Sequence, residues 1–372
     1  MATSLLLRSA CTASFLALSA IGIYHFQYLP AHLKIPLNFE DILRNKHLNV
    51  PYQHISIPQR YTGIQSIDSF IAVYVTAFAH GPLRLDEHAY WQQLYFLVGI
   101  FPILAVWTVE ANRERNRGTV ISYTSVWAIF YQALGGAVFL PLHDLCYIFV
   151  ARRPSYLRAG RAVPVHVAKA LIPALLIGYL LPTCLLFIRR YSQQTVLYLI
   201  AVWQFTPFYI NILVGIFGSM LKTSPTSTNK AMSSESNYLI TVYLISVLAS
   251  ATAHITTLSG ILSGNPAEVS LASIFLPSQS RLLKSTGQDL HHIFQWDWIV
   301  IATSSFIWAL YAVAEISAER QVLGMKHSST RIISLMAIST ILLGPGGTLA
   351  AVWWWREIAL IEIENNIKSK GK

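Results

Sequence analysis

The chain has 372 residues, 54% of them hydrophobic and only 12% charged. A soluble globular chain carries roughly 25% charged residues, so a fully solvated surface is excluded, as is disorder over most of the length. The 27 Lys and Arg outnumber 17 acids, for a net charge of +10, but they sit in short loops between apolar runs and form no long basic face. Nucleic acid is therefore excluded as a partner, and the basic excess is assigned to anchoring at anionic lipid headgroups.

A bilayer-spanning helix needs about 20 mostly apolar residues. That criterion predicts an all-α polytopic bundle of about nine (8–9) membrane helices, with the spans at 10–28, 66–80, 90–110, 119–142 (running on to 150), 165–187, 195–218, 237–262, 297–315 and 332–355. The first run carries only Arg8 in its basic region and no clear cleavage site, so a retained helix is favoured over a signal peptide. Segments 29–62 and 263–296 are expected to be partly interfacial, 222–237 a flexible loop and 357–372 a cytosolic tail. The whole chain, 1–372, is then one integral-membrane domain without a repeat. Cys11, Cys146 and Cys184 form neither a disulfide framework nor a zinc pattern.

With nine spans, the side bearing the C-terminus collects 15 Lys and Arg against 11 on the other. Lys368 and Lys370 near the end resemble a dilysine retrieval signal, with a plain headgroup anchor as the alternative. Together these predict a multi-pass protein of the endoplasmic reticulum with a cytosolic C-terminus.

Several chemistries leave no trace. The sequence has no aspartate-rich DDxxD or DxDD motif, no P-loop or Rossmann fingerprint, no GxSxG elbow and no di-iron histidine boxes. His291-His292 is a lone pair for which interfacial solvation is the expected role.

Acids are scarce, so each needs an explanation. Glu40, Asp41, Asp86, Glu87, Glu235, Glu268, Asp289 and Glu319 fall in expected loops, and Glu357, Glu362 and Glu364 in the expected tail, where solvation accounts for them. Asp68, Glu110, Asp144, Asp297 and Glu315 lie in or at the ends of spans, where a charge costs about 2.5–3.5 kcal/mol. On the eighth span Asp297, Ile301, Ser304, Trp308, Tyr311 and Glu315 step by four and three along one helical face. Its two acids are about 27 Å apart at 1.5 Å per residue, too far to form a dyad.

Asp297 is flanked by Trp296 and Trp298, which limit water and favour the neutral acid. A helix N-terminus would favour the carboxylate, and the two effects oppose each other. Glu110 is either a cavity-facing acid or one rung of an ion-pair ladder with Arg113, Glu114 and Arg117. In the fourth span Tyr123, Trp127 and Tyr131 recur at four-residue spacing, more in keeping with packing than with a site. Gln132 at mid-span calls for an interior hydrogen bond, while Asp144 beside His143 is a proton-handling pair or a helix-end cap.

The stretches WTVEANRERNRG, FYQALGGAVFLPLHDLCYIF and HHIFQWDWIVIATSSFIWAL resemble the fungal integral-membrane terpene cyclases of meroterpenoid pathways, most closely the epoxycyclohexenone and ascofuranone-type group. The matching positions are Trp107, Glu110 and Arg113, then Gln132, Pro141 and Leu142, then Gln295, Trp296 and Asp297. One departure is His143-Asp144, where the family places an aromatic after Pro-Leu.

The resemblance implies a proton-initiated cyclisation of a farnesyl-type chain, without metal or other cofactor, on a lipophilic prenylated quinol or phenol drawn from the bilayer, in the company of other pathway membrane enzymes. Asp297 would be the donor and Glu110 its partner or the alternative donor, with Asp144 and Glu315 as secondary candidates. Trp107, Trp308 and Tyr311 would stabilise cationic character through their ring faces, and Gln132 or Gln295 would orient an oxygen. The competing classes are a proton-coupled transporter, with Gly344-Pro345-Gly346-Gly347 as a broken helix, and a non-catalytic membrane scaffold.

Overall fold

The computed structural model describes residues 2–370 apart from 51–52, 154–155, 223–227, 265–268 and 327. The chain opens with helix α1 (Ala2–Ile23), which passes through a π turn at Tyr24–Tyr28 into α2 (Leu29–Leu33). Helix α3 (Phe39–Asn45) and an antiparallel hairpin, β1 (His47–Val50) and β2 (Gln53–Ser56), follow, with His47 opposite Ser56. The bundle continues with α4 (Gln65–Phe78), α5 (Glu87–Asn112), α6 (Thr124–Leu134), α7 (Gly136–Val150) and α8 (Val165–Leu175). A second π turn leads to α9 (Leu181–Leu186), then α10 (Gln193–Trp203), α11 (Thr206–Met220), α12 (Thr228–Leu262), α13 (Leu271–Phe275), α14 (Thr286–Val322) and α15 (Ser329–Lys370).

Helix α5 is apolar all round and has no solvated face. It is buried from Ala89 to Ala111 apart from Trp91 and Leu94, with α12, α14 and α15 packed around it. Asp86 caps it, accepting from the N–H groups of His88 and Ala89. Burial opposes the charge on Asp86, but the His88 ring and N–H hold its carboxyl at about 2.

Among the described residues six helices are long and apolar enough to cross a bilayer, or seven if the bent pair α10–α11 is one span. The expected nine is thus not reached, for identifiable reasons. The span expected at 66–80 is α4, whose 14 residues are too short to cross alone. The span expected at 119–150 breaks at Gly135 into α6 and α7, of 11 and 15 residues. The span at 195–218 bends by 63° between Trp203 and Thr206. Apolar length counts such segments as single rods because it ignores where the backbone turns.

Other expectations are corrected as well. Helix α14 begins at Thr286, so 263–296 is not all loop, and His291 and His292 are buried inside the helix rather than solvated. Part of the loop expected at 222–237 is helix from Thr228 onward, while 223–227 lies outside the described residues, as do Glu268 and the final Gly371-Lys372. The expected tail is the last part of α15, and its Glu357 is fully buried. Glu235 and Asp289, expected in solvent, are buried too, and Asp289 accepts from the N–H groups of Leu37 and Leu283. Asp68 ties the loop before α4, accepting from the N–H groups of Tyr61, Thr62 and Gly63.

Candidate active site

A broken helix in an apolar medium frees backbone groups that must find new partners, so breaks are tolerated where side chains cap them or a cavity lies beside them. The break between α6 and α7 follows this rule. Gly135 stands at φ +100°, and a Cβ there would lie 2.6 Å from the Phe26 ring. The freed carbonyl of Ala133 accepts from the Tyr74 hydroxyl at 3.1 Å. The freed N–H of Ala137 donates to Oδ1 of Asp297 at 2.5 Å.

Asp297 arrives from α14, one turn before Ile301. Gly136 permits the approach, because a Cβ on it would lie 2.5 Å from Cδ1 of Ile301 and 3.2 Å from Oδ1 of Asp297.

Beside this break is a cavity of about 490 Å³, within the size range of small-molecule sites. Its wall is apolar and ring-rich, with Phe78, Phe96, Phe294, Trp203 and Tyr179 among the lining residues. Asp297 is its only Asp or Glu among the described residues, and no hydrogen bond from them reaches Oδ2. Gln132 also lines the cavity and donates through Nε2 to Oε1 of Gln204, at the bend between α10 and α11. Two broken spans thus meet at one amide pair.

The other expected site residues lie elsewhere. Glu110 does not line the cavity. Its Oε1 accepts from Nε of Arg113 at 2.7 Å, from Arg356 at 3.0 Å and from Nε1 of Trp353 at 3.2 Å. Arg113 also pairs with Glu357, which pairs with Arg161, which pairs in turn with Glu235. The ladder expected along one helix edge is therefore a buried network drawn from several helices.

Trp107 stacks on His143 at 3.7 Å, and Trp308 lies 4.2 Å from the Trp353 ring, a layer that borders the ion pairs rather than the cavity. Asp144 accepts from Ser304 at 2.6 Å and lies 3.5 Å from Nδ1 of His143. Tyr311 donates to Glu315 at 2.7 Å, and both line a separate cavity with Arg8 and Arg153. Gln295 donates to the carbonyl oxygens of Ser273, Ile274 and Leu276, pinning α13 against α14.

Of the site residues expected from the sequence, the cavity therefore brings together Asp297 and Gln132. The eighth-span stripe does face inward as phased, with Asp297, Ile301, Ser304, Trp308 and Tyr311 all buried, but it runs past the cavity into the layers beyond.

A family model described as the CtvD domain matches residues 12–361, nearly the whole bundle. The chain belongs to the CtvD-domain family. The terpene cyclase ascI of Acremonium egyptiacum is 24% identical over 330 residues, covering 84% of this chain and 83% of that protein. The terpene cyclase DEP1 of Fusarium langsethiae is 27% identical over 263 residues, covering 65% of this chain and 70% of its own length. The DEP1 cyclase of Alternaria brassicicola is 23% identical over 371 residues, covering 90% and 95%. No solved structure matches the chain. Membership bears out the resemblance read from three short stretches of sequence, and with it the assignment of the chain as an enzyme. The second of those stretches contains the Gly135 break, and the third supplies Asp297 to it.

Proposed function

We propose that this enzyme is a proton-initiated terpene cyclase acting, without a metal ion, on the prenyl chain of a lipophilic quinol or phenol. The observation that carries the proposal is the placement of Asp297: a lone carboxyl at the wall of an apolar, ring-lined cavity, with Oδ1 held by the Ala137 N–H and Oδ2 free of protein partners among the described residues. The named relatives, all terpene cyclases, support the reaction class. The sequence also lacks the aspartate-rich motifs that ionise a diphosphate.

In this scheme the hydrogen on Oδ2 of Asp297 passes to a terminal alkene carbon or an epoxide oxygen of the prenyl chain. A carbocation forms in the first case, and a C–O bond opens in the second. An internal alkene attacks the electron-poor carbon and closes a ring C–C bond, and an adjacent carbon then gives up a proton to the Asp297 carboxylate, which restores the acid and ends the sequence as a net isomerisation. The Ala137 N–H fixes which oxygen faces the substrate and then solvates the carboxylate left behind. The rings of Phe96, Phe294 and Trp203 present negative faces to the cation and keep water away. Glu110 is assigned to the ion-paired layer, where two arginines already neutralise it.

The test uses full-length protein in lipid nanodiscs with a farnesylated hydroquinone, or its terminal epoxide, in excess EDTA. Cyclised product at the rate seen without chelator is expected. Activity lost to EDTA and restored by magnesium would contradict the proposal. Substrate-driven proton flux in liposomes without product would favour the transporter class.

A further inference from the structure

Three tyrosines line the Asp297 cavity, and their hydroxyls differ in one respect. Tyr74 donates to the Ala133 carbonyl at 3.1 Å and Tyr179 to the Leu97 carbonyl at 2.8 Å. Tyr131 has no hydrogen-bond partner among the described residues, although its hydroxyl stands inside a membrane bundle. An unpaired polar group in such a place needs an explanation, and a ligand is the direct one.

Gln132, the next residue on the last turn of α6, lines the same cavity. Its Nε2 is committed to Oε1 of Gln204 at 2.5 Å, which fixes the side chain and leaves Oε1 as an acceptor. Gln204 is only 7% exposed and sits where α10 gives way to α11. The cavity thus has an acid on α14 and, on α6, a phenol–amide pair that takes no part in proton delivery.

We propose that Tyr131 and Gln132 dock the hydroxylated head of the substrate, with Gln204 as the residue that positions Gln132, so that the site selects a free phenol or quinol over its ether. The chemistry of the pair makes this choice. Oε1 of Gln132 only accepts, so it needs a ligand O–H, whereas the Tyr131 hydroxyl can donate to a ligand oxygen. A quinol satisfies both. A quinone or an aryl ether can accept from Tyr131 but leaves the Gln132 oxygen unpaired, and unpaired site groups are what make hydrogen-bonding sites selective. This rests on the reading of the substrate as a prenylated quinol or phenol.

The test compares 2-farnesylhydroquinone with its dimethyl ether on full-length protein in nanodiscs, measuring binding by ligand-induced thermal shift and, separately, turnover. Wild type is expected to bind the quinol about tenfold more tightly than the ether, the value of one to two hydrogen bonds. Tyr131→Phe removes an oxygen with no partner among the described residues, so folding is retained and both ligands weaken by a similar factor, because that hydroxyl donates to either. Gln204→Leu lowers the quinol-to-ether ratio by freeing Gln132, and loss of packing alone would weaken both ligands together. A wild type that binds both ligands equally, or a Tyr131→Phe variant that binds both as tightly as wild type, overturns the proposal. If the quinol binds with the expected preference and is never cyclised, docking stands and the cyclisation mechanism fails.

Discussion

At the scale of single residues, the site depends on how closely α14 approaches the start of α7. Gly136→Ala places a methyl 2.5 Å from Cδ1 of Ile301 and pushes on Oδ1 of Asp297. Turnover should fall by about tenfold or more, because small displacements of a catalytic group cost that much. Ile301→Val in the same chain trims the clashing atom and should recover part of the loss. Product assays on the single and double variants check this. An unchanged rate in Gly136→Ala would show that the contact does not position the acid.

Asp297 was legible from sequence because an acid between two tryptophans on an inward helical stripe is rare. Tyr131 was not, because spacing does not distinguish a packed ring from one whose hydroxyl meets a cavity. Gln295 shows the converse: expected to orient a substrate oxygen, it donates instead to three carbonyls more than fifteen residues away in sequence.

At the scale of elements, the breaks explain both the span count and the cavity. Hydropathy finds apolar length and is blind to backbone turns, so it counts the α6–α7 and α10–α11 pairs as one rod each. A third break, inside α15 at Gly344, lies away from the Asp297 cavity. It was visible in the Gly344-Pro345-Gly346-Gly347 run. Here His254 and Ser250 of α12 lie 2.9 and 3.1 Å from the freed carbonyls of Ile341 and Leu343. His254→Ala leaves the Ile341 carbonyl unpaired and should cost about 1–3 kcal/mol. A lower melting temperature in detergent with an unchanged KM is expected. A changed KM would place this break in the substrate path.

At the scale of the whole molecule, the interior is layered: the ring-lined cavity, then the Trp107, His143 and Trp308 layer, then the Glu110–Arg113–Glu357–Arg161 ion pairs. Helical phasing told which residues face inward but not at which depth, so Trp107, Trp308 and Glu110 were expected beside the substrate and belong to the layers beyond it. Glu357 escaped notice because its place near the C-terminus suggested a solvated tail. Glu357→Gln leaves Arg113 and Arg161 without their shared carboxylate, and breaking such a buried pair costs about 3–5 kcal/mol. Denaturant titration should register that loss, while the folded fraction keeps the wild-type turnover. A loss of turnover without a loss of stability would move the network into the chemistry.

The central claim is that Asp297 delivers the proton that starts cyclisation. Its most direct test is product formation by Asp297→Asn in microsomes supplied with the farnesylated quinol, beside wild type and with melting temperatures measured on both. An intact fold, bound substrate and no cyclised product are expected. Cyclised product from Asp297→Asn at a rate near that of wild type would contradict it.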